Sequence, residues 1–347
     1  MNDSLKAIIF LLSDGKFHSG LDLAETLQIS EIKVQSLIEE LAEWDLEIES
    51  LPQQCYRLKG GLSLLDKEKI YSCLEKNAAE KLPLLEVFDC ISSTNDYLLE
   101  LDRVHSKSNW AILAERQTQG RGRQGRVWIS PFARNIHLSL LWHFSKNANE
   151  LSCLSLAIAI SVLESLQDLT FTKNLETPQK LGIKWPNDII YDQQKLGGIL
   201  IEFSPQSLQT RSCSAVVIGI GVNASMPPNI SGINQVWTDI QKITQQTVDR
   251  SVLAGTLLDG IIKGIILFEE QGFLPFVEKW YEYDLTFGKK VSVITHDKTI
   301  LGVGRGINDQ GHFLLETENG TIERFMSGDV SIRLANETKL PGPLALL

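Results

Sequence analysis

Apolar residues recur with helical spacing at the start of the chain and then fall into short runs. Leucine or isoleucine occupies positions 5, 8, 9 and 12, which predicts a first helix, and a second helix is predicted from about Leu21 to Leu27. Ser30 is a candidate N-cap for a third helix, whose apolar face continues to Trp44. The runs Leu46 to Leu51 and Tyr56 to Leu58 predict two strands. Residues 1–64 are therefore expected to form a separate unit.

This order of helices, turn and hairpin resembles a winged helix-turn-helix domain, whose third helix enters a DNA major groove. The DNA-contacting residues would then be Glu31, Lys33, Gln35 and Ser36. The first sixty residues carry five Lys or Arg against eleven Asp or Glu, which is the wrong sign for phosphate. A packing or dimer-positioning domain is an equally good interpretation.

Three further parts follow along the chain. A mixed-charge segment from Asp66 to Lys81 predicts a linker helix within residues 65–82, and residues 83–272 form a central domain. In the central domain Trp110 to Glu115 and Asn135 to Phe144 predict buried strands. In residues 273–347 five short alternating runs, separated by turns such as Asn319-Gly320, predict a small β-barrel. The expected fold class is a multidomain α+β protein.

One connection between two central strands concentrates unusual chemistry. Residues 116–128 hold four arginines and three glycines in a chain whose formal net charge is −10. Glycine lets backbone N–H groups approach a ligand closely, and arginine supplies fixed charge with paired donors for phosphate or carboxylate. A solvated basic loop, or an Arg-Gly segment that contacts nucleic acid, is the alternative. Because the segment joins two apolar strands and ends at Trp128, a small phosphate-bearing ligand is favoured.

Composition limits the classes of function. The acidic balance argues against binding nucleic acid or anionic membranes through overall charge. Five scattered cysteines include no CxxC pair or zinc-finger spacing, which is typical of reduced thiols, and no metal site in the protein is predicted. No window approaches the ~20 apolar residues of a membrane span, so a cytoplasmic protein without membrane contact is expected.

Four spaced segments together resemble the biotin protein ligase family. The segment Gly120-Arg-Gly-Arg-Gln-Gly-Arg-Val-Trp128 is similar to the family's GRGRxGRxW ligand loop. Three others agree in order: a biotin-contacting turn at Ser92-Ser-Thr-Asn95, a KWPND segment at Lys184 to Asp188, and an IGxGxN strand ending at Asn223. The similarity runs from about Leu5 to Leu334, and its start resembles the subgroup that also represses the biotin operon.

The resemblance implies the fold, the substrates and the site. It implies a central mixed sheet with helices like that of class II synthetases, an SH3-like C-terminal domain, and formation of biotinyl-AMP from biotin and MgATP. Biotin would then pass to a lysine of the biotin carboxyl carrier protein of acetyl-CoA carboxylase, and a homodimer is a further expectation. Implied biotin contacts are Ser93, Thr94, Asn95, Gln117, Arg121, Gly122, Arg123 and Lys184, of which Arg121, Arg123 and Lys184 are the catalytic candidates. Implied ATP or adenylate contacts are Gly120, Gly125, Arg126, Trp128 and Asn223.

The chemistry of these residues also indicates roles without the resemblance. The hydroxyls and amide of Ser93, Thr94 and Asn95 suit a neutral ureido ring, although Ser93 or Thr94 could equally cap a helix. Lys195 is a weaker phosphate candidate, and Mg²⁺ is expected to bind mainly through the phosphates. Two other functions stay open: a lipoyl or octanoyl transferase, and a biotin-sensing repressor with little ligase activity.

Overall fold

The structure is a computed structural model that describes residues 1–52, 54–104, 108–169, 180–205, 214–328 and 330–334. Residues 170–179, which precede the KWPND segment, lie outside the described residues. So do residues 335–347 of the predicted C-terminal domain.

The first unit consists of three helices and a three-stranded sheet with its own apolar core. Ser30 caps the third helix as predicted, since its Oγ accepts the Lys33 N–H at 3.2 Å. Leu5, Val34 and Leu58 are among the most buried residues of this core, to which Phe132 and Ala133 of the central domain also belong. The predicted helices and hairpin are confirmed, and the sheet order is β1-β3-β2. The elements are α1 (Asp3–Leu12), β1 (His18–Ser19), α2 (Gly20–Leu27), α3 (Glu31–Glu40), β2 (Ile48–Leu51) and β3 (Cys55–Leu58).

The segment predicted as one linker helix is two short helices, α4 (Lys67–Ser72) and α5 (Lys76–Lys81). They are not a free connection, because both pack on the long helix α9 (Arg250–Gln271). The break between them is fixed by this packing, since the backbone N–H of Glu75 donates to Asp259 Oδ1 on α9 at 2.8 Å. Charge pattern alone did not indicate the break.

The central domain is a seven-stranded mixed sheet of order β4-β5-β6-β10-β9-β8-β7, in which only β4 and β5 run parallel among the described strands. Helices α7 and α9 pack against each other and bury most of their length in the largest core. The strands are β4 (Leu84–Phe88), β5 (Trp110–Ala114), β6 (Asn135–Phe144), β7 (Leu181–Lys184), β8 (Asp188–Tyr191), β9 (Gln194–Phe203) and β10 (Ser214–Asn223). The helices are α6 (Thr94–Val104), α7 (Leu154–Asp168), α8 (Ile240–Thr244), α9 (Arg250–Gln271) and α10 (Val277–Tyr283).

Strand β6 separates the core from the candidate site. Its even-numbered apolar residues, including Ile136 and Leu140, lie in the core with α7 and α9, as the alternation predicted. The opposite face carries His137 and Ser139, which are both buried polar residues. Polar side chains on this second face need partners, and they find them in the site described below.

The C-terminal domain confirms the five predicted strands, which form an antiparallel sheet of order β14-β13-β12-β11-β15. Between the predicted boundary at 273 and the first of these strands lies α10, which packs on α7 and β7. The strands are β11 (Lys290–Ile294), β12 (Thr299–Ile307), β13 (Phe313–Thr317), β14 (Ile322–Phe325) and β15 (Ser331–Leu334).

The expectation that no window approaches a membrane span was wrong by composition, because two stretches, Ala148–Asp168 and Arg250–Gln271, are long and apolar enough to cross one. Most of each apolar window is buried inside the protein, 72% and 61% respectively. Since α7 and α9 pack on each other, their hydrophobicity is accounted for by the core.

A buried ion pair joins the first unit to the central domain. Arg250, which is 1% exposed, bonds Glu115 Oε2 at 2.5 Å and the Ser63 carbonyl at 2.9 Å. The other oxygen of Glu115 accepts the Leu65 N–H at 2.6 Å. The chain that leaves the first unit is thereby bound to Glu115, which lies two residues before Gln117.

Candidate ligand site

The turn at the start of α6 is buried and tied to the end of strand β5. Ser93, Thr94 and Asn95 are 2%, 3% and 4% exposed. Ser93 Oγ caps the helix by accepting the Asp96 N–H at 3.3 Å, so the capping role is confirmed. Gln117 Oε1 accepts both the backbone N–H of Thr94 at 2.8 Å and its hydroxyl at 3.0 Å. Four of the predicted biotin contacts therefore lie together.

Asn95 is held from three sides. Its Oδ1 accepts a hydrogen bond from Ser139 Oγ at 2.6 Å, and its Nδ2 donates to Glu202 Oε2 at 2.7 Å. A Cβ atom built on Gly219 would lie 2.3 Å from Asn95 Oδ1. Gly219, the first glycine of the IGxGxN strand, is therefore required, because a side chain there would collide with this amide.

The segment from Gly120 to Trp128, here named the Arg/Gly loop, is a small hairpin that folds back across the sheet. The Gly122 N–H donates to the Arg126 carbonyl at 2.7 Å, and the Trp128 N–H donates to the Gly120 carbonyl at 2.9 Å. Gly125 has φ +69°, a conformation that favours glycine. Gly120 has no room for a side chain, since its Cβ would lie 2.7 Å from the Trp128 carbonyl.

The three loop arginines point to three different places. Arg121 is bound by the carboxylates of Asp96 and Glu202, with 3.2 Å between its Nη1 and Glu202 Oε1. Arg126 Nη2 donates to Ser331 Oγ on the C-terminal domain at 2.8 Å. Arg123 turns inward, where its Nη1 donates to Asn187 Oδ1 at 3.2 Å.

Two buried donors in the loop have no hydrogen-bond partner among the described residues. They are Nη2 of Arg123 and the indole Nε1 of Trp128. Burial lowers the pKa of the Arg123 guanidinium, an effect that Asp188 opposes and Arg126 reinforces. An unmatched buried donor costs roughly 1–3 kcal/mol, so both groups favour a bound acceptor such as a phosphate or carboxylate oxygen.

Lys195 lies closer to the loop than the sequence indicated. Its Nζ is 2.7 Å from Asp188 Oδ1 and 5.6 Å from the centre of the Trp128 ring. Its side chain is mostly buried, at 17% exposure. Lys184 ends β7, opposite Asp188 in the strand register. Asp188 therefore lies beside Lys184 in the sheet and forms an ion pair with Lys195, whose ammonium also lies near the Trp128 ring.

The remaining nucleotide-side predictions have structural contacts of their own. A Cβ on Gly221 would lie 2.6 Å from Trp128 Cζ2, so the second glycine of the strand admits the indole ring. Asn223 Nδ2 donates to the Thr238 carbonyl at 3.0 Å and the Lys195 carbonyl at 3.4 Å. These bonds hold the segment around Trp237 against β9, and direct ligand contact by Asn223 stays a prediction.

The buried imidazole of His137 supports the backbone of Gln117 through Ser130. The Gln117 N–H donates to Ser130 Oγ at 2.8 Å, and Ser130 Oγ lies 2.7 Å from His137 Nε2. Burial, with a contribution from the Arg250 charge, lowers the pKa of His137 to about 3. His137 is therefore uncharged at neutral pH and acts as a fixed hydrogen-bonding group.

The residues predicted to contact DNA lie on one exposed stretch of α3. Glu31, Lys33, Gln35 and Ser36 are all exposed. Gln35 Nε2 contacts Glu39 Oε1 at 3.3 Å on the same helix.

Sequence reasoning missed Asp96, Ser139, Glu202 and Ser130, and it gave Lys195 too little weight. Asp96 follows other polar residues at the start of α6, and Ser139 lies on the face of β6 opposite its predicted core face, so no local pattern singled them out. The available signal was the lone carboxylate at Glu202, in the otherwise apolar second half of β9.

In the described ranges no group of three or more His, Cys, Asp or Glu could hold a metal ion. At the site, the carboxylate of Asp188 is paired with Lys195.

Known proteins are similar to this chain in sequence and in fold. Residues 87–223 match the biotin/lipoate A/B protein ligase family, and residues 286–333 match the biotin protein ligase C terminal domain. The bifunctional ligase/repressor BirA of Salmonella typhimurium is 36% identical over 94% of this chain and 97% of its own length. The biotin–[acetyl-CoA-carboxylase] ligase of Paracoccus denitrificans is 29% identical over 66% of this chain and 92% of its own.

Among solved structures, the biotin protein ligase from Aquifex aeolicus in complex with biotin and ATP superposes with a TM-score of 0.60 and 27% identity. The superposition covers 73% of this chain and all of that one. The family is thus shown by both sequence and structure. This chain belongs to the biotin protein ligase family.

Proposed function

We propose that the protein joins biotin to ATP as biotinyl-AMP and transfers the biotinyl group to a lysine of an acceptor protein. The single observation that carries this proposal is the pair of buried, unmatched donors on Arg123 and Trp128 beside the turn at Ser93 to Asn95. An anionic ligand that has a neutral polar end would satisfy both halves of this site. Biotin, with a ureido ring and a carboxylate, has that polarity.

The neutral end of biotin is assigned to the buried turn. Ser93, Thr94, Asn95 and Gln117 offer hydroxyl and amide groups to the ureido ring. Their mutual hydrogen bonds fix them before the ligand arrives. Pre-organised groups of this kind lose little conformational entropy on binding.

In the first half-reaction the biotin carboxylate attacks the α-phosphorus of ATP, and pyrophosphate leaves. A new carboxyl–phosphate bond forms as the bond between the α- and β-phosphates breaks. The inward Arg123, together with Lys195 and the neighbouring Lys184 at the end of β7, offsets the negative charge that gathers there, while the loop hairpin holds the reacting groups together. A covalent enzyme intermediate is not required.

In the second half-reaction an acceptor lysine, as its free amine, attacks the carbonyl of the mixed anhydride and AMP leaves. The loop excludes water from this anhydride meanwhile. Contacts of Gln124 and Arg126 with the C-terminal domain support a role for that domain in holding the loop closed. The biotin carboxyl carrier protein of acetyl-CoA carboxylase is the proposed acceptor, since relatives carry that substrate in their names.

The discriminating experiment measures pyrophosphate release with MgATP and one acid at a time. Biotin should give release, while lipoate and octanoate should give background. Release with lipoate or octanoate instead would replace the proposal with a lipoyl or octanoyl transferase.

A second function, repression of a biotin operon, is favoured by the names of relatives such as BirA. In this proposal the first unit is a winged helix-turn-helix domain. Its charges argue against tight DNA binding, because Lys6, Arg57 and Lys59 are each paired with a carboxylate. A dimer formed on adenylate binding would be needed to present two such domains.

Gel shifts with the organism's own biotin-gene operator test repression directly. A shift at physiological salt that depends on biotin and ATP would support it. Its absence would leave the first unit as a packing domain on a ligase. The proposed location for either activity is the cytoplasm.

A further inference from the structure

Two carboxylates from different elements bind the same loop arginine. Arg121 contacts Asp96, which lies on α6 immediately after the buried turn, and Glu202, which lies on β9. The side chains of Arg121 and Glu202 are 38% and 23% exposed, so water screens the pair only in part. The first arginine of the loop is thereby engaged by protein groups.

Glu202 has a second task. Its Oε2 accepts the hydrogen bond from Asn95 Nδ2 at 2.7 Å and also lies 3.4 Å from Arg121 Nη2. Ser139 fixes the other end of the same Asn95 amide. The carboxylate of Glu202 therefore connects the buried turn with the glycine-rich loop.

The same carboxylates affect the charge of the site. A partly buried Glu202 without a cation would repel the carboxylate and phosphates of the ligand. Arg121 offsets one of the two negative charges of Asp96 and Glu202. At the anionic end Arg123 keeps an unmatched Nη2 beside Lys195, which is paired with Asp188. Asp96 and Glu202 thus lie beside the buried turn, and the inward-pointing Arg123 lies on the nucleotide side.

We propose that Glu202 is a positioning residue which, with Asp96, clasps Arg121 and so holds the loop over the buried turn. Arg121 then serves loop closure, and phosphate contact falls to Arg123 and Lys195. This inference rests on the proposed function only for its consequence in catalysis, because the clasp itself exists between groups of the free protein.

The first test needs no ligand. Trypsin cleaves after exposed arginines in mobile chain, and the loop supplies three, at 121, 123 and 126. In Glu202→Gln the side-chain oxygen still accepts from Asn95, but one of the two charges that bind Arg121 is gone and only Asp96 remains. Cleavage in the loop, located by mass spectrometry, should be about fivefold faster than in the wild type, as for a weakened local contact. An unchanged cleavage rate would overturn the clasp.

The control is Glu316→Gln, which removes an equally accessible ion pair with Arg305 on the C-terminal domain. It should leave loop cleavage at the wild-type rate, and equal acceleration in both variants would reduce the effect to general loosening. Asp96→Asn, at the more exposed carboxylate, should reproduce the Glu202 effect and serves if Glu202→Gln fails to fold. A wild-type rate in folded Asp96→Asn would count against the clasp.

The second test asks whether Glu202 acts through Arg121. In Glu202→Gln, biotinyl-AMP should dissociate about fivefold faster, and added salt should no longer speed release. In an Arg121→Met background the same Glu202 change should add nothing, which a purely structural role would not produce. Independent, additive effects would refute the mechanism. If the wild type forms no biotinyl-AMP, the proposed function fails, while the trypsin result still decides the clasp.

Discussion

Replacing Gly219 by alanine tests how the strand admits the amide of Asn95. The new Cβ would lie 2.3 Å from Asn95 Oδ1, whereas ordinary contacts to a Cβ exceed 3.4 Å. Asn95 must therefore move by about 1 Å or more, beyond the tolerance of a hydrogen bond. Its bonds with Ser139 and Glu202, at 2.6 and 2.7 Å, would both be lost or distorted.

The expected loss of affinity follows from the displaced amide. Once moved, the Asn95 amide no longer matches the ureido ring, and an unmatched buried polar group costs about 1–3 kcal/mol, so biotin affinity should fall by about that amount. This corresponds to roughly 5-fold to 150-fold in Kd. Loss of the two internal bonds and overpacking of the buried strand should also lower the free energy of unfolding by about 2–4 kcal/mol.

Isothermal titration with biotin measures the affinity, and thermal melting measures the stability. Gly328→Ala is the matched control, because a Cβ there meets no atom within 4 Å and no positive φ is involved. It should bind biotin like the wild type. Wild-type affinity in folded Gly219→Ala would refute the argument that Asn95 contacts the ligand in this orientation.

Three other substitutions probe the site and its supports. Arg123→Ala should leave the melting temperature unchanged but weaken biotinyl-AMP retention by about 2 kcal/mol or more, and an unchanged dissociation rate would remove Arg123 from the site. Because His137 stays neutral down to about pH 3 whereas an unfolded histidine protonates near 6.5, it makes stability fall with acid. Between these two pKa values the free energy of unfolding should fall by about 1.4 kcal/mol for each pH unit of acidification. His137→Gln should remove this contribution in denaturant titrations, and equal slopes in the variant and the wild type would contradict the burial argument. Arg250→Met should lower the free energy of unfolding by about 3–5 kcal/mol, because Glu115 is left buried and uncompensated, and a loss below about 1 kcal/mol would show that the pair is better hydrated than its geometry indicates.

Much of the fold could be predicted because it depends on local pattern. Alternation in Asn135 to Phe144 predicted β6 and its core face, and the five C-terminal runs were found nearly residue by residue. The Ser30 cap and the capped turn at Ser93 were also readable, since capping involves residues only three apart.

What the sequence did not reveal depends on contacts between distant segments. The break between α4 and α5 is set by Asp259, which lies 184 residues from Glu75. Glu202 lies 107 residues from Asn95 and 81 from Arg121, so no local pattern could connect them. A charge pattern likewise could not show that Arg121 binds carboxylates while Arg123 turns inward.

The most direct test of the central claim is calorimetric titration with biotin, with and without MgATP, followed by mass spectrometry of the bound fraction. Lipoate serves as the control acid. The account predicts tight binding of biotin alone and a retained biotinyl-AMP when MgATP is present. No heat with biotin, together with binding of lipoate, would contradict the assignment of the turn and loop to biotin.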